Sequence, residues 1–433
     1  MTLLRRPAPA TVAAAVIVAG ACLLSAADAL ARVLEVGPGR QYERPSDAAR
    51  DVRDGDEVVI AAGVYEGDVA VWRANDLTIR STGGLAHMKS NGATARGKAV
   101  WLVTGGDVTI SGIQFSGAES ADKNGAGIRL EGAGPLTVRD SVFHDNQMGI
   151  LSGNEGTARI VIENSEFYRN GETVSGSYRV GHNIYIGRAA SFELRFSSVH
   201  HAVRGHNVKS RAARNVIAYN EIADMIDGTS SYLIDLPEGG DSVVIGNVLQ
   251  QGPGTDNYTL VSFGAEKKNQ PLGTLSMAHN TLINQNGDGI FVANHGTEPA
   301  LLVNNLYQGP GTLVQGPHRQ EAFLHVPARI GEKGAVATVM EKPSQILSVA
   351  KSMIADGGSG GGAGASLGFR DPLQLDFHLT ARSPAVDAGR DAGSAPDGTS
   401  LTPTHVYVHP LAGAPRRQTG TAPDLGAYEY EGD

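Results

Sequence analysis

Two three-residue segments, Gly181-His182-Asn183 and Gly205-His206-Asn207, recur with their histidines 24 residues apart. Tyr185 follows the first, and His200, His201, Arg204, Lys209 and Arg211 cluster around the second. Cations, imidazoles and a phenol in one stretch suit proton transfer beside a negative charge. To abstract a proton from the carbon next to a carboxylate, as at C5 of a uronic acid, a site needs a cation on the carboxylate. It also needs a base for the proton and an acid for the departing oxygen. Lys209 is the candidate base, if Arg204, Arg211 and the histidines depress its pKa. Arg211 is the candidate carboxylate ligand, and Tyr185 or His206 the candidate acid. His182, Asn183, Asn207, His201, Arg204 and Asp235 complete the candidate set as substrate contacts.

Strand alternation sorts these side chains. Counting in twos puts Asn207, Lys209 and Arg211 on one outer face, with Val208 and Ser210 inward, and Asn183 and Tyr185 on the same face one repeat earlier. His206 has the wrong parity for that face unless the strand begins after it. Two adjacent histidines repel when charged, which favours neutral forms able to act as bases. Plainer roles compete. An Asp235 stacked beside Lys209 would form an exposed ion pair, worth about 0–1 kcal/mol, and would spoil the lysine as a base. His200-His201 also reads as a turn, and Tyr185 as a platform for a sugar ring.

The histidine spacing has meaning only if the chain winds in coils of that length, and it does repeat. An aliphatic residue, two variable ones, a small residue or Asn, one variable residue and another apolar one recur. Examples are Val138 to Phe143, Ile162 to Phe167, Ile217 to Ile222, Val244 to Leu249 and Met277 to Leu282. Successive fourth positions lie 23 to 33 residues apart, the period of one solenoid coil plus loops of varying length. A second strand signal follows each, as in Asn183 to Ile186, Asn207 to Ser210 and Leu233 to Leu236. Stacked coils bury the inner faces and align equivalent side chains in columns, so Asn220, Asn247, Asn280 and Asn305 read as an asparagine ladder.

The expected fold is therefore all-β, a right-handed parallel β-helix (a single-stranded solenoid) over residues 32–316. Pro45 to Val52 would form an N-terminal helical cap over the first coil. Residues 317–433 are expected to form a C-terminal coil and irregular cap, with helical spacing from Lys342 to Ile354 and a glycine-rich loop at 357–364. Composition agrees: 56 glycines, 6% aromatic residues and 41% apolar residues suit many short strands joined by turns.

Residues 1–31 carry Arg5-Arg6, an apolar stretch from Thr11 to Leu24, and Ala29-Leu30-Ala31, the pattern of a signal peptide cleaved after Ala31. Localisation outside the cytoplasm, secreted or periplasmic, is the expectation. Cys22 is the sole cysteine, so the mature chain would have no disulfide, thiolate nucleophile or cysteine metal site. Removing Arg5, Arg6 and Asp28 takes the net charge from −9 to −10, which excludes a general nucleic-acid partner. A monomer is expected. Asp227, Asp235, Glu238 and Asp241 flank glycine turns and could supply oxygen ligands. Calcium is thus the one cofactor left open, although no calcium-loop spacing is present.

Asp54 to Tyr65 (DGDEVVIAAGVY), Phe377 to Gly389 (FHLTARSPAVDAG) and Asp424 to Tyr428 (DLGAY) resemble the boundary signatures of bacterial right-handed β-helix repeat proteins of the pectate-lyase-like superfamily. Val208-Lys209-Ser210 resembles the Val-Lys-Ser motif of the alginate lyase and chondroitinase B group, and that resemblance implies a base role for Lys209. The chain departs from the group at two places. Ile234-Asp235-Leu236 stands where the group has an arginine-bearing strand, and Ala202 and Arg204 stand where it has acidic calcium ligands. Two functions remain in view: a lyase or C5-epimerase acting on an acidic, uronate-containing glycan, or a non-catalytic carbohydrate-binding or envelope scaffold. A trimeric adhesin would need a partner domain or coiled-coil segment that this sequence lacks.

Overall fold

Three parallel ladders of short strands form the body of the protein, which wraps one continuous apolar interior. The computed structural model describes residues 31–171, 181–267, 272–330, 338–339 and 367–432. The expected signal segment 1–30, the helical spacing from Lys342 to Ile354 and the glycine-rich loop 357–364 lie outside the described residues.

Each coil contributes three strands, one more than the two-signal repeat predicts. The aliphatic motif is two strands with a bend between them, as in Leu136–Arg139 followed by Val142–His144, or Arg214–Ala218 followed by Glu221–Ala223. The bend has one cause throughout. The residue before the small or Asn position adopts a left-handed backbone: Asp140, Asn164, Phe196, Tyr219, His279 and Asn304 at φ of 49° to 59°, and Gly246 at 65°. A single residue in this region turns the chain sharply and throws the next side chain inward.

That inward side chain is the ladder. Asn220, Asn247, Asn280 and Asn305 are fully or almost fully buried, and each Nδ2 donates to the next Oδ1 at 3.0 Å. The Oδ1 atoms of Asn247, Asn280 and Asn305 also accept the backbone N–H of the Asn one coil before, at 2.9–3.0 Å, so the amides satisfy a bend that would otherwise bury unpaired groups. Towards the N-terminus Ser141, Ser165 and Ser197 take the same position with shorter reach. The interior is lined by stacked equivalents, including Phe115, Phe143 and Phe167 with ring centroids 4.9 and 4.6 Å apart.

The third ladder has ten strands and carries the candidate residues. Ala126–Leu130, Met148–Ser152, His182–Ile186, Val208–Ser210, Ile234–Leu236, Thr259–Phe263 and Gly289–Asn294 are consecutive members. Helix α1, Pro45–Asp51, packs at the first coil as expected, starting with proline and burying Ala48 and Ala49. Parallel pairing runs on past residue 316 through His318–Glu321 and Leu324–Val326.

The C-terminal tail folds back along the flank of the coils. Two antiparallel hairpins, Phe369–Asp371 with Asp376–Leu379 and His405–Val408 with Ala412–Pro415, lie against the outer sides of the first two ladders. They are fixed by Ala427 N–H to Thr281 Oγ1, Asn164 Nδ2 to Leu411 O and the buried Arg416–Glu429 pair. Among the described residues no helix is long and apolar enough to cross a membrane.

Replacing Asn247 with Ala removes an acceptor for Asn220 and a donor for Ile217 O and Asn280 Oδ1. It should destabilise the protein by at least about 2 kcal/mol, since buried groups are left unpaired. Urea unfolding checks this, and a loss under about 0.5 kcal/mol would show that the ladder carries no stability.

Candidate functional site

The repeated Gly-His-Asn resolves into three separate demands. At Gly205 any Cβ would overlap the carbonyl oxygen of Gly181 one coil before, and at Gly181 it would overlap that of Gln147, so only glycine lets these turns approach. His182 and His206 point to the outer side of the ten-strand ladder and stack with centroids 4.7 Å apart. Asn183 and Asn207 point inward, which corrects their expected role as substrate contacts. Both are fully buried in a second ladder, in which Asn146, Asn170, Asn183, Asn207 and Asp224 are joined by side-chain hydrogen bonds of 2.8–3.2 Å. Alternation fails there because the Asn and the Ile or Val after it both face inward, with the pairing register skipping from His182 to Ile184. His206 therefore reaches the outer face although its parity is wrong, and the strand proper starts at Val208.

Tyr185, Lys209, Asp235 and Ser262 occupy equivalent positions of four successive coils. Lys209 Nζ lies 3.1 Å from Asp235 Oδ2 and 3.5 Å from Glu266 Oε1. This ion pair is buried rather than exposed: the side chains are 12% and 4% accessible. Burial pushes the Asp235 carboxyl above its ordinary range, against the pull of Lys209, and its Oδ1 has no hydrogen-bond partner. Arg211 donates to the Tyr185 hydroxyl oxygen and to Glu266 at 2.6 and 2.8 Å, and contacts Glu238 at 3.3 Å. Arg188 clamps Glu238 from two coils before it at 2.8 and 2.9 Å, and that hydrogen bonding holds Glu238 below its ordinary range. Lys209 and Arg211 also lie over the Tyr185 ring, at 5.8 and 5.1 Å.

The histidines are neutral and spoken for. Burial, with the charges of Lys209 and Arg211, brings His182 down to about 3, and burial with the same charges and His182 brings His206 well below 6.5. His182 Nδ1 accepts the backbone N–H of His206 at 2.9 Å, and His206 Nδ1 accepts that of Tyr232 at 3.2 Å. In each ring the proton is thus on Nε2, and the one lone pair able to take a proton is already engaged. The expectation that this pair acts as bases is corrected: they are fixed Nε2–H donors, and His206 aims its own at Asp235 Oδ2, 3.5 Å away.

Two further candidates stand apart. His201 sits at the bend before the ten-strand ladder, joined to His200 at 2.7 Å and to Asp227 at 2.9 Å. Arg204 pairs with Asp256 at 2.8 Å rather than with the lysine cluster. The oxygen ligands considered for calcium are engaged: Asp227 by His201, Asp235 by Lys209, Glu238 by Arg188 and Asp241 by Thr274. No group of three or more metal-ligating side chains converges among the described residues, and a carboxylate already facing a cation does not fit calcium. The residues that spacing did not reveal are Arg188, Glu238 and Glu266, which reach the cluster from loops one and two coils away.

Residues 98–306 match the family model for a right handed beta helix region. The chain folds as a right-handed parallel β-helix. Pectate lyase Pel9A has the same fold, with a TM-score of 0.56 and 15% identity over 92% of this β-helix chain and 96% of that one. An alginate lyase from Paenibacillus sp. str. FPU-7 aligns with a TM-score of 0.41 and 14% identity over 67% of this chain and 97% of its own. The mannuronan C-5 epimerase AlgE6 A-module of Azotobacter vinelandii aligns at 0.35 and 14% over 65% and 93%. No curated protein matches the β-helix chain in sequence.

A histidine depressed in the folded state contributes stability above its unfolded pKa of about 6.5 and loses it as pH falls towards the folded value. In His182→Asn, Oδ1 can still accept the His206 N–H. The stability difference between the wild-type and variant proteins should then shrink by up to about 1.4 kcal/mol per unit as pH drops from 6.5 to 4. A pH-independent difference in thermal unfolding would contradict the neutral, buried assignment.

Proposed function

We propose that this β-helix protein acts outside the cytoplasm on an acidic, uronate-containing polysaccharide, as a lyase or C5-epimerase, at the outer side of its ten-strand ladder. One observation carries the reading. Two successive coils bring Tyr185, Arg211, Lys209 and two neutral, hydrogen-bond-donating imidazoles into a single outward patch on a protein of net charge −9. Among the described residues, the C-terminal tail packs against the other two ladders. The sequence pattern of residues 1–31 supports export, and the pectate lyase that shares the fold supports a glycan as the ligand.

In this reading Arg211 holds the sugar carboxylate, whose neutralisation acidifies the C5 hydrogen. Lys209 is the proton-transfer group. At rest it is an ammonium paired with Asp235, so it accepts the C5 proton only after passing its own to that carboxylate, which burial makes the readier acceptor. Tyr185, its oxygen already accepting from Arg211, keeps its own O–H to donate to the leaving oxygen in a lyase. An epimerase returns a proton to the opposite side of C5 and needs no departing group.

The Lys209–Asp235 pair also favours a second reading, a non-catalytic glycan-binding scaffold, because a lysine held between two carboxylates is a poor base. Turnover separates the two. Purified protein mixed with polyuronates should release unsaturated products absorbing in the ultraviolet, or exchange C5 hydrogen with solvent. Lys209→Ala should lower either rate by at least about 100-fold while binding persists. Binding without turnover in the wild-type protein would support the scaffold and remove the enzyme.

A further inference from the structure

Glu266 has no role in the chemistry above, yet both of its carboxylate oxygens engage Arg211. Its carboxylate receives Arg211 Nη2 at 2.6 and 2.8 Å and lies 3.5 Å from Lys209 Nζ, bridging the two cations that the proposed function assigns to substrate. Three carboxylates serve this cluster, and they are not equivalent. Asp235 and Glu238 are 4% and 14% accessible, whereas Glu266 is 46% accessible and lies on the solvent side of Arg211 and Lys209, themselves 13% and 12% accessible. Burial acts upward on Glu266, but hydrogen bonding to Arg211 and the charges of both cations hold it below the ordinary glutamate range. It is therefore an anion near neutral pH.

We propose that Glu266 is a built-in stand-in for the ligand: its carboxylate fills a subsite for one sugar carboxylate, formed by Arg211 Nη2 and Lys209 Nζ over the Tyr185 ring, and an acidic glycan binds by displacing it. The inference rests on the acidic-glycan reading of this site and adds to it a subsite and a competitor. The exchange replaces one carboxylate by another of like charge and geometry, so Arg211 and Lys209 stay paired throughout and no buried charge is uncovered. Little backbone movement is required. The Glu266 N–H is bonded to Pro237 O at 2.9 Å and the Gly264 N–H to Leu236 O at 2.8 Å, so rotation of the glutamate side chain vacates the subsite.

Charge gives the competitor a second effect. Arg188, Lys209, Arg211 and Lys267 face Asp235, Glu238 and Glu266, four cations against three carboxylates. With Glu266 in place the cluster holds one net positive charge, and a neutral residue there leaves two. A ligand that must displace an internal occupant binds more weakly by the fraction of time the subsite is vacant, so removing the occupant should tighten binding of charged ligands alone.

The test is calorimetric titration of the full chain and its Glu266→Gln variant with galacturonate, mannuronate and glucuronate tetramers, and with a neutral glucose tetramer. Glu266 is half exposed, and equal melting temperatures would confirm that the variant is folded. The expected result is about tenfold tighter binding of at least one uronate tetramer by Glu266→Gln, with no gain for the neutral one. A uronate affinity that is unchanged or weaker in the variant, when the wild-type protein binds that tetramer, would overturn the competitor role and leave the acidic-glycan reading standing. Absence of uronate binding by both proteins would overturn that reading and this inference together.

Discussion

Coil-to-coil registry is the constraint from which the site follows. A parallel ladder repeats every strand spacing of about 4.8 Å, so a residue meets its equivalent in the next coil whatever the loop between them does. Two buried amide ladders lock that register from inside. One joins Asn220, Asn247, Asn280 and Asn305 at the bend between the first two ladders. The other joins Asn146, Asn170, Asn183, Asn207 and Asp224 beside the ten-strand ladder. Slippage by one residue would bury polar outer side chains and unpair these amides together. The outer columns, His182 on His206 and Tyr185 beside Lys209 beside Asp235, inherit the precision of the inner ones.

The outer patch is also an electrostatic compromise. Lys209 and Arg211 are largely covered, and a covered cation without a partner costs several kcal/mol, so the fold supplies Asp235, Glu238 and Glu266. The two histidines beside them stay neutral because they are buried and because a further positive charge in that volume would be repelled. The protein is thus stable without a ligand, at the expense of a resting lysine that is not a free base. Any turnover must begin by rearranging charge within the Lys209–Asp235–Glu266 group.

Much of this was legible in the sequence. The period placed His182 against His206, alternation put Lys209 and Arg211 outward with Val208 and Ser210 inward, and the shared register of Asn220 to Asn305 gave the first ladder. What failed did so for local physical reasons. Asn183 and Asn207 defeat alternation because two consecutive residues turn inward, and the second ladder hides behind an irregular step of 13 residues between Asn170 and Asn183. The aliphatic motif looked like one strand because its left-handed bend residue is usually not glycine. Glu266 and Glu238 reach Arg211 from turns 55 and 27 residues away, and no spacing rule marks a loop carboxylate that returns over an outer column. The path of the described tail depends on packing against Tyr219 and Thr281 that has no periodic signature.

The central claim is that two successive coils assemble one acceptor site for an acidic sugar. A crystal structure of the protein with a bound uronate oligomer tests it most directly. The account predicts a sugar carboxylate within hydrogen-bonding distance of Arg211 and Lys209, with the chain of sugars running across the ten-strand ladder past His182 and His206. An oligomer seated on another side of the coils, with the Lys209–Asp235–Glu266 contacts intact, would contradict it.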